Sequence, residues 1–165
     1  MKHAGLTYFL LVLLTVGIIA SCQKEETYPI IPEIEFDEFV KLWNPQTMVY
    51  ERGVFVITFK DGDGDIGLEG SDTAAPYDFN LFINYYEIQN GDSVRVIISD
   101  SNEFNARIPV LTPRGSKKSI SGTIEDTLFM YNYQSTFDTI MFDAYIMDRA
   151  LHKSNMVNTG WFSRN

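Results

Sequence analysis

The sequence predicts an all-β sandwich, and three observations carry that expectation. Short segments of β-branched and aromatic residues alternate with polar ones at period 2, the spacing of a strand that buries one face. Turn residues punctuate these segments, above all Asn90-Gly91, both of which accept the positive φ that a type I′ hairpin requires. No stretch sustains a 3.6-residue apolar period, so no amphipathic helix is available to build a core. The length suits one domain with a sizeable core, and about 7 to 9 antiparallel strands are expected in it.

In chain order, Ile34 and Phe36 begin an alternation interrupted at Asp37-Glu38, and Asn44-Pro45 marks a turn. Val54 to Phe59 is a continuous apolar run of β-formers, too short for an ordinary helix and expected to be a strand buried on both faces. Phe79, Leu81, Ile83 and Tyr85 alternate against Asn80 and Asn84, while Phe82 and Tyr86 add apolar surface to the second face. After Asn90-Gly91 the return strand places Val94, Val96 and Ile98 on one face and Arg95 on the other. Phe104, Ala106, Ile108 and Val110 form another period-2 set, with Pro109, which has no N–H, pointing to an edge strand. Thr112-Pro113-Arg114-Gly115 reads as a turn, and Arg114, Lys117 and Lys118 as a solvated basic face. Ile120, Gly122 and Ile124 are a weaker strand signal, Ile140, Phe142, Ala144 and Ile146 a strong one, and Val157 to Phe162 supplies a last strand.

The N terminus carries an address. Met1-Lys2-His3 precedes an apolar stretch from Leu6 to Ala20, a secretory signal helix shorter than the roughly 20 residues of a membrane span. It ends in Ile19-Ala20-Ser21-Cys22, which resembles the lipobox of bacterial lipoproteins. That resemblance implies cleavage before Cys22 and a diacylglycerol on its sulfur, with palmitate among the acyl chains. Gln23-Lys24-Glu25-Glu26 is similar to the export tag of surface lipoproteins of the Bacteroidota, which implies an outer-membrane, cell-surface location. Thr27, Pro29 and Pro32 continue the stretch as a linker without helical period. The expected organisation is a signal peptide over 1–21, a lipidated tether over 22–32 and a sandwich over 33–165. After cleavage, the loss of Lys2 leaves 12 basic against 22 acidic residues, a net charge of −10, which argues against nucleic acid as a partner. Cys22 is the single cysteine, so no disulfide holds the fold and stability must come from the core or from metal.

The C-terminal segment bears on the kind of sandwich. Phe142-Asp143-Ala144-Tyr145-Ile146-Met147-Asp148-Arg149-Ala150, followed by Ser154-Asn155, resembles the last two strands of bacterial immunoglobulin-like or fibronectin-type modules. Those read as an aromatic strand, Asp-x-Ala-Gly-Asn-x-Ser and a short strand; here Leu151 and His152 stand where Gly and Asn are usual. The resemblance implies a single immunoglobulin-like β-sandwich, and fold alone does not deliver function.

Chemistry is concentrated in Asp61-Gly62-Asp63-Gly64-Asp65-Ile66-Gly67-Leu68-Glu69-Gly70-Ser71-Asp72. Carboxylates at alternate positions with glycine between them let a short backbone aim several oxygens at one centre, as a hard cation with six to eight oxygen ligands requires. Against the EF-hand loop, Asp61, Asp63 and Asp65 match positions 1, 3 and 5 and Asp72 the terminal acid, but Ile66 occupies the position of the invariant Gly. A strand precedes the loop and no helix flanks it. The expectation is therefore a calcium loop grafted between strands, with Asp61, Asp63, Asp65 and Asp72 as ligands; a Gly/Asp-rich turn without metal is the alternative. The segment is similar to Asp-Gly-Asp-Gly-Asp-Ile-Gly stretches at the end of an early strand in Bacteroidota lipoproteins with immunoglobulin-like domains.

Enzyme signatures are mostly missing, and hydrolase remains a third, less favoured class. Past the signal, His152 is the one histidine, expected as a solvated loop residue. No Gly-x-Ser-x-Gly elbow, His-Glu-x-x-His pair or phosphate-binding glycine loop occurs. Two carboxylates suffice for a glycosidase, but the densest acids share one loop, where they suit a cation better than opposite sides of a sugar. Tyr131, Tyr133 and Phe137 lie between strand signals among polar neighbours and are candidate ligand-binding rings for a glycan or protein; the alternative is a loop folded onto the sandwich end. The combined reading is a non-enzymatic cell-surface lipoprotein, an adhesion or envelope-complex module with a calcium loop. A carbohydrate-binding accessory of a glycan-uptake system is the rival. Anchoring is checked by cell fractionation: the wild type should pellet with membranes and Cys22→Ala should remain unlipidated, whereas mass spectrometry finding a bare Cys22 at the mature N terminus would remove the anchor.

Overall fold

A computed structural model of the chain describes residues 27–98, 104–112 and 118–165, where the alternating segments become eight strands. Cys22, the signal segment and Lys24-Glu25-Glu26 lie outside the described residues, as do Arg114 and Lys117 of the basic turn. The strands are β1 (Glu33–Asn44), β2 (Val49–Asp61), β3 (Leu81–Gln89), β4 (Asp92–Val96), β5 (Ile120–Phe129), β6 (Thr139–Ile146), β7 (Val157–Asn158) and β8 (Phe162–Ser163). No described residue is helical, and among the described residues no helix is long and apolar enough to cross a membrane.

Two antiparallel sheets face each other. One has the order β1-β2-β5; the other runs β4-β3-β6-β7, with β8 also pairing β6. The chain changes sheet between β2 and β3, β4 and β5, and β5 and β6, which is the Greek-key path of strands A, B, E against C′, C, F, G in an immunoglobulin-type sandwich. Period-2 alternation decides the inner faces. Phe55, Ile57 and Phe59 of β2 point inward to meet Leu81, Ile83 and Tyr85 of β3 and Ile140, Phe142, Ala144 and Ile146 of β6 in one buried cluster. Phe142 is its centre, with ring centroids 5.5 Å from Phe39, 5.3 Å from Tyr85 and 5.6 Å from Phe104. Among the described residues all eight strands begin at Glu33 or later and the buried cluster at Ile34, so the chain from Gln23 onward keeps every described strand and core residue.

Local irregularities have identifiable causes. The interruption at Asp37-Glu38 is a register shift between Phe36 and Glu38, a bulge that absorbs one extra residue and lets β1 continue. Asn90 and Gly91 take φ of 54° and 96°, as the hairpin requires. The expected edge strand at Phe104 to Val110 reduces to two isolated bridges, Leu81 with Ala106 and Leu68 with Pro109. Pro109 has no N–H to extend a ladder, and the buried Asn80 side chain replaces the missing partner. Its Oδ1 accepts from the Ile108 N–H at 2.6 Å, and its Nδ2 donates to the Ile66 and Ile108 carbonyls at 2.6 and 3.2 Å. The expected last strand divides into β7 and β8 at Gly160, whose φ is 68°. Leu151 adopts φ 65°, a left-handed backbone that costs a branched side chain on the order of 1 kcal/mol.

Truncating the central ring tests this packing: Phe142→Ala should lower the unfolding free energy by about 3–5 kcal/mol, measured by urea denaturation. A loss under about 1 kcal/mol would mean that the sheets do not meet at Phe142.

Candidate cation site

β2 places the first ligand. Phe55, Ile57 and Phe59 occupy alternate inward positions, and Asp61, the last residue of the strand and partner of Ile120 in β5, takes the next. The register thus drives a carboxylate into the end of the core, where Asp61 is 0% exposed. Beyond it the backbone is fastened on every side. The Gly62 N–H donates to the Pro29 carbonyl at 2.8 Å, Ser119 Oγ to the Gly62 carbonyl at 3.3 Å, and Thr112 Oγ1 to the Gly64 carbonyl at 2.9 Å. The Arg149 N–H donates to the Asp65 carbonyl at 3.2 Å. Three glycines are dictated by this path: Gly64 has φ of 70°, and a Cβ on Gly62 or Gly67 would overlap the backbone of Tyr28 and Pro29 or of Pro109 and Val110.

So held, Asp61, Asp63 and Asp65 bring one carboxylate oxygen each within 4.8 Å of one another. Both oxygens of Asp61 and the Oδ1 atoms of Asp63 and Asp65 are buried without a hydrogen-bond partner. Burial, and then the charges of Asp63 and Asp65, push the Asp61 carboxyl up to about 6; the neighbouring Ile66 amide offsets part of that rise. Burial also raises Asp65, followed by the charges of Asp148 and Asp63. An uncompensated buried carboxylate is expensive, and three crowded together repel. Oxygens on a shared Ca²⁺ at about 2.4 Å are at most about 4.8 Å apart, so the cluster needs little adjustment to take one. Ligands that are all oxygen favour calcium over metals that seek imidazole or thiolate; backbone carbonyls and water would complete the shell.

Asp72, the expected terminal ligand, is not brought to this cluster. Its Oδ2 accepts from Arg149 Nη1 at 2.6 Å and from the Glu69 N–H at 2.8 Å, and the Arg149 bond, followed by the Glu69 bond, holds its carboxyl below the ordinary range. The cause is the exit path. An EF-hand returns its last acid on a helix, whereas here the Leu68 bridge to Pro109 carries the chain away. Sequence reasoning also overlooked Asp148, which is buried and adds its charge against Asp61 and Asp65. Its oxygens accept from the His152 N–H at 2.7 Å and meet His152 Nδ1 at 2.9 Å. The Asp148-Arg149 pair in the C-terminal motif was the available signal.

Tyr131, Tyr133 and Phe137 lie at the opposite end, where the Met130 N–H donates to the Glu51 carbonyl near the start of β2. Their loop is fastened by Glu87, a fully buried carboxylate that accepts from Ser135 Oγ at 2.6 Å, Gln89 Nε2 at 2.9 Å, Tyr85 Oη at 3.0 Å and Asn132 Nδ2 at 3.1 Å. Buried Arg164 donates to the Asn132 and Ser135 carbonyls at 3.1 and 2.6 Å, and its guanidinium lies 5.1 Å from the Tyr131 ring centre. Tyr131 and Phe137 are half-buried in this arrangement, while Tyr133 is 72% exposed. Comparison with protein-family models, curated proteins and solved structures finds no match to this chain.

Burial pushes the Glu87 carboxyl up, but its four hydrogen bonds outweigh that and hold it below the ordinary value. A lowered folded pKa stabilises the fold above the unfolded value of about 4.3, and that contribution is lost as pH falls through the folded value. Wild type should therefore lose stability more steeply than Glu87→Gln between about pH 5 and 3, read by urea midpoints. Parallel profiles would show that Glu87 is not held ionised by its donors.

Proposed function

We propose that this chain is a non-enzymatic, lipid-anchored module of the outer-membrane surface whose acidic loop binds calcium, and that it serves adhesion or an envelope complex. The observation that carries the reading is Asp61: fully buried, without a hydrogen-bond partner, and facing Asp63 and Asp65 within the span of a single calcium shell. The lipobox resemblance at Cys22 supplies the anchor. The described chain enters beside the acidic loop, through the Pro29 carbonyl on Gly62, so the calcium end faces the anchor and the opposite end projects outward. The non-enzymatic reading rests on the sequence, which carries no Gly-x-Ser-x-Gly elbow, His-Glu-x-x-His pair or phosphate-binding glycine loop. The carbohydrate-binding alternative draws support from Tyr133, whose exposed ring stands 4.8 Å from Tyr131 and 6.0 Å from Phe129; it would require glycan binding lost on Tyr133→Ala.

Three carboxylates in an irregular loop suit a weak site, with Kd on the order of 10⁻⁴ to 10⁻³ M as in extracellular modules. Calcium at ten times Kd then adds about 1.4 kcal/mol, or about 3–5 °C in Tm for a domain of this size. Melting of residues 23–165 with calcium or EDTA should show that shift in the wild type and not in Asp63→Asn/Asp65→Asn. An unmoved wild type, or an equal shift in the double variant, would reduce the loop to an acidic turn.

A further inference from the structure

We propose that the end of the sandwich carrying the acidic loop is a cation-dependent docking face for an anionic phospholipid surface. The inference rests on the lipid-anchored, calcium-binding reading above and assigns that site a second ligand.

Exposed apolar side chains ring the loop. Ile30 and Ile31, 58% and 53% exposed, follow Pro29, whose carbonyl accepts from Gly62. Val110 and Leu111, 39% and 48% exposed, lie between the Gly67 contact at Pro109 and Val110 and the Thr112 hydroxyl on Gly64. Leu151, 43% exposed, belongs to the turn whose Arg149 N–H donates to Asp65. Each of the three chain segments is thus hydrogen-bonded to, or packed against, the same acidic loop. Apolar side chains around a polar centre are what an interfacial membrane surface presents to the boundary between headgroups and acyl chains.

Chain length identifies the occupant. Five residues separate Cys22 from Tyr28, six steps along the chain and a reach of at most about 20 Å at about 3.4 Å per residue. A lipid on Cys22 therefore holds this end, rather than the Tyr133 end, against the bilayer. Charge makes the docking conditional. Asp61, Asp63 and Asp65 on a chain of net charge −10 without its signal are repelled by the negative potential of an anionic leaflet. A bound divalent cation removes that repulsion. Because it takes six to eight oxygens, it also keeps positions that headgroup phosphate oxygens can fill. Asp61 supplies the independent sign that the cluster is a ligand site: its carboxylate is fully buried and has no partner of its own.

The test uses residues 23–165, which lack the lipid and keep every described strand and core residue. Flotation with vesicles of phosphatidylethanolamine and phosphatidylglycerol should recover the protein with calcium and not with EDTA, and phosphatidylcholine vesicles should recover much less. Ile30→Ser/Ile31→Ser and Leu111→Ser should each reduce recovery roughly tenfold while keeping the calcium shift in Tm, which shows that their cation site is intact. If calcium raises Tm but vesicle recovery is absent, or is indifferent to these substitutions, the docking face is wrong and the calcium site stands. Equal recovery in EDTA overturns the cation dependence. A calcium-dependent dimer seen by light scattering in place of flotation assigns the face to a second copy and overturns the lipid. If calcium leaves Tm unmoved, the site and the docking fall together.

Discussion

The organisation of one end of this molecule follows from a carboxylate placed on a core-facing row. Asp61 continues the inward series Phe55, Ile57, Phe59 on the central strand of its sheet, a position where an apolar residue would cost nothing. A buried carboxylate must be neutralised by protonation, hydrogen bonds or a counter-charge. Neither oxygen receives a well-formed hydrogen bond, the Ile66 amide offsets only part of the burial, and the charges of Asp63 and Asp65 are of the same sign. What remains is a cation or a proton. The loop glycines, the Pro29, Thr112 and Ser119 contacts and the turn at Arg149 all hold the backbone so that the carboxylates converge.

The opposite end is a contrast within the same protein. Glu87 is as deeply buried as Asp61, yet four side-chain donors converge on it. Hydrogen bonds to a charged acceptor are worth roughly 1.5–3 kcal/mol each, enough in sum to hold the carboxylate ionised. Glu87 is thus complete in itself and serves as a structural post on which the 130–138 loop is fastened, whereas neither oxygen of Asp61 receives a well-formed hydrogen bond. Two buried acids therefore distinguish an end whose carboxylate is fully hydrogen-bonded from an end whose carboxylate is not, and the described chain enters beside the second.

Most of the strand content was legible because period-2 alternation is a local signal. The Val54 to Phe59 run, the Asn90-Gly91 hairpin and the Ile140 to Ile146 alternation each recur as β2, the β3–β4 turn and β6. What was illegible depended on contacts distant in sequence. Phe104 to Val110 has the alternation of a strand but lost its ladder to Pro109 and to an Asn80 side chain 28 residues away from Ile108. Asp72 matched a loop position by counting, yet Arg149 captured it from 77 residues away. Asp148 could not be associated with the acidic loop until β6 brought the two together. The convergence of Asp61, Asp63 and Asp65 was legible, since alternate acids separated by glycine need only a short turn to meet. That Asp61 is the buried member follows from the register of β2.

The central proposal is that the ionised form of Asp61 is completed by a cation, and its own titration tests this most directly. Carboxyl NMR of residues 23–165 in EDTA should give Asp61 a pKa of about 6, and calcium should abolish that titration by holding the group ionised through the same range. An Asp61 that titrates near the ordinary value of about 3.9 in EDTA, with no response to calcium, would contradict the account.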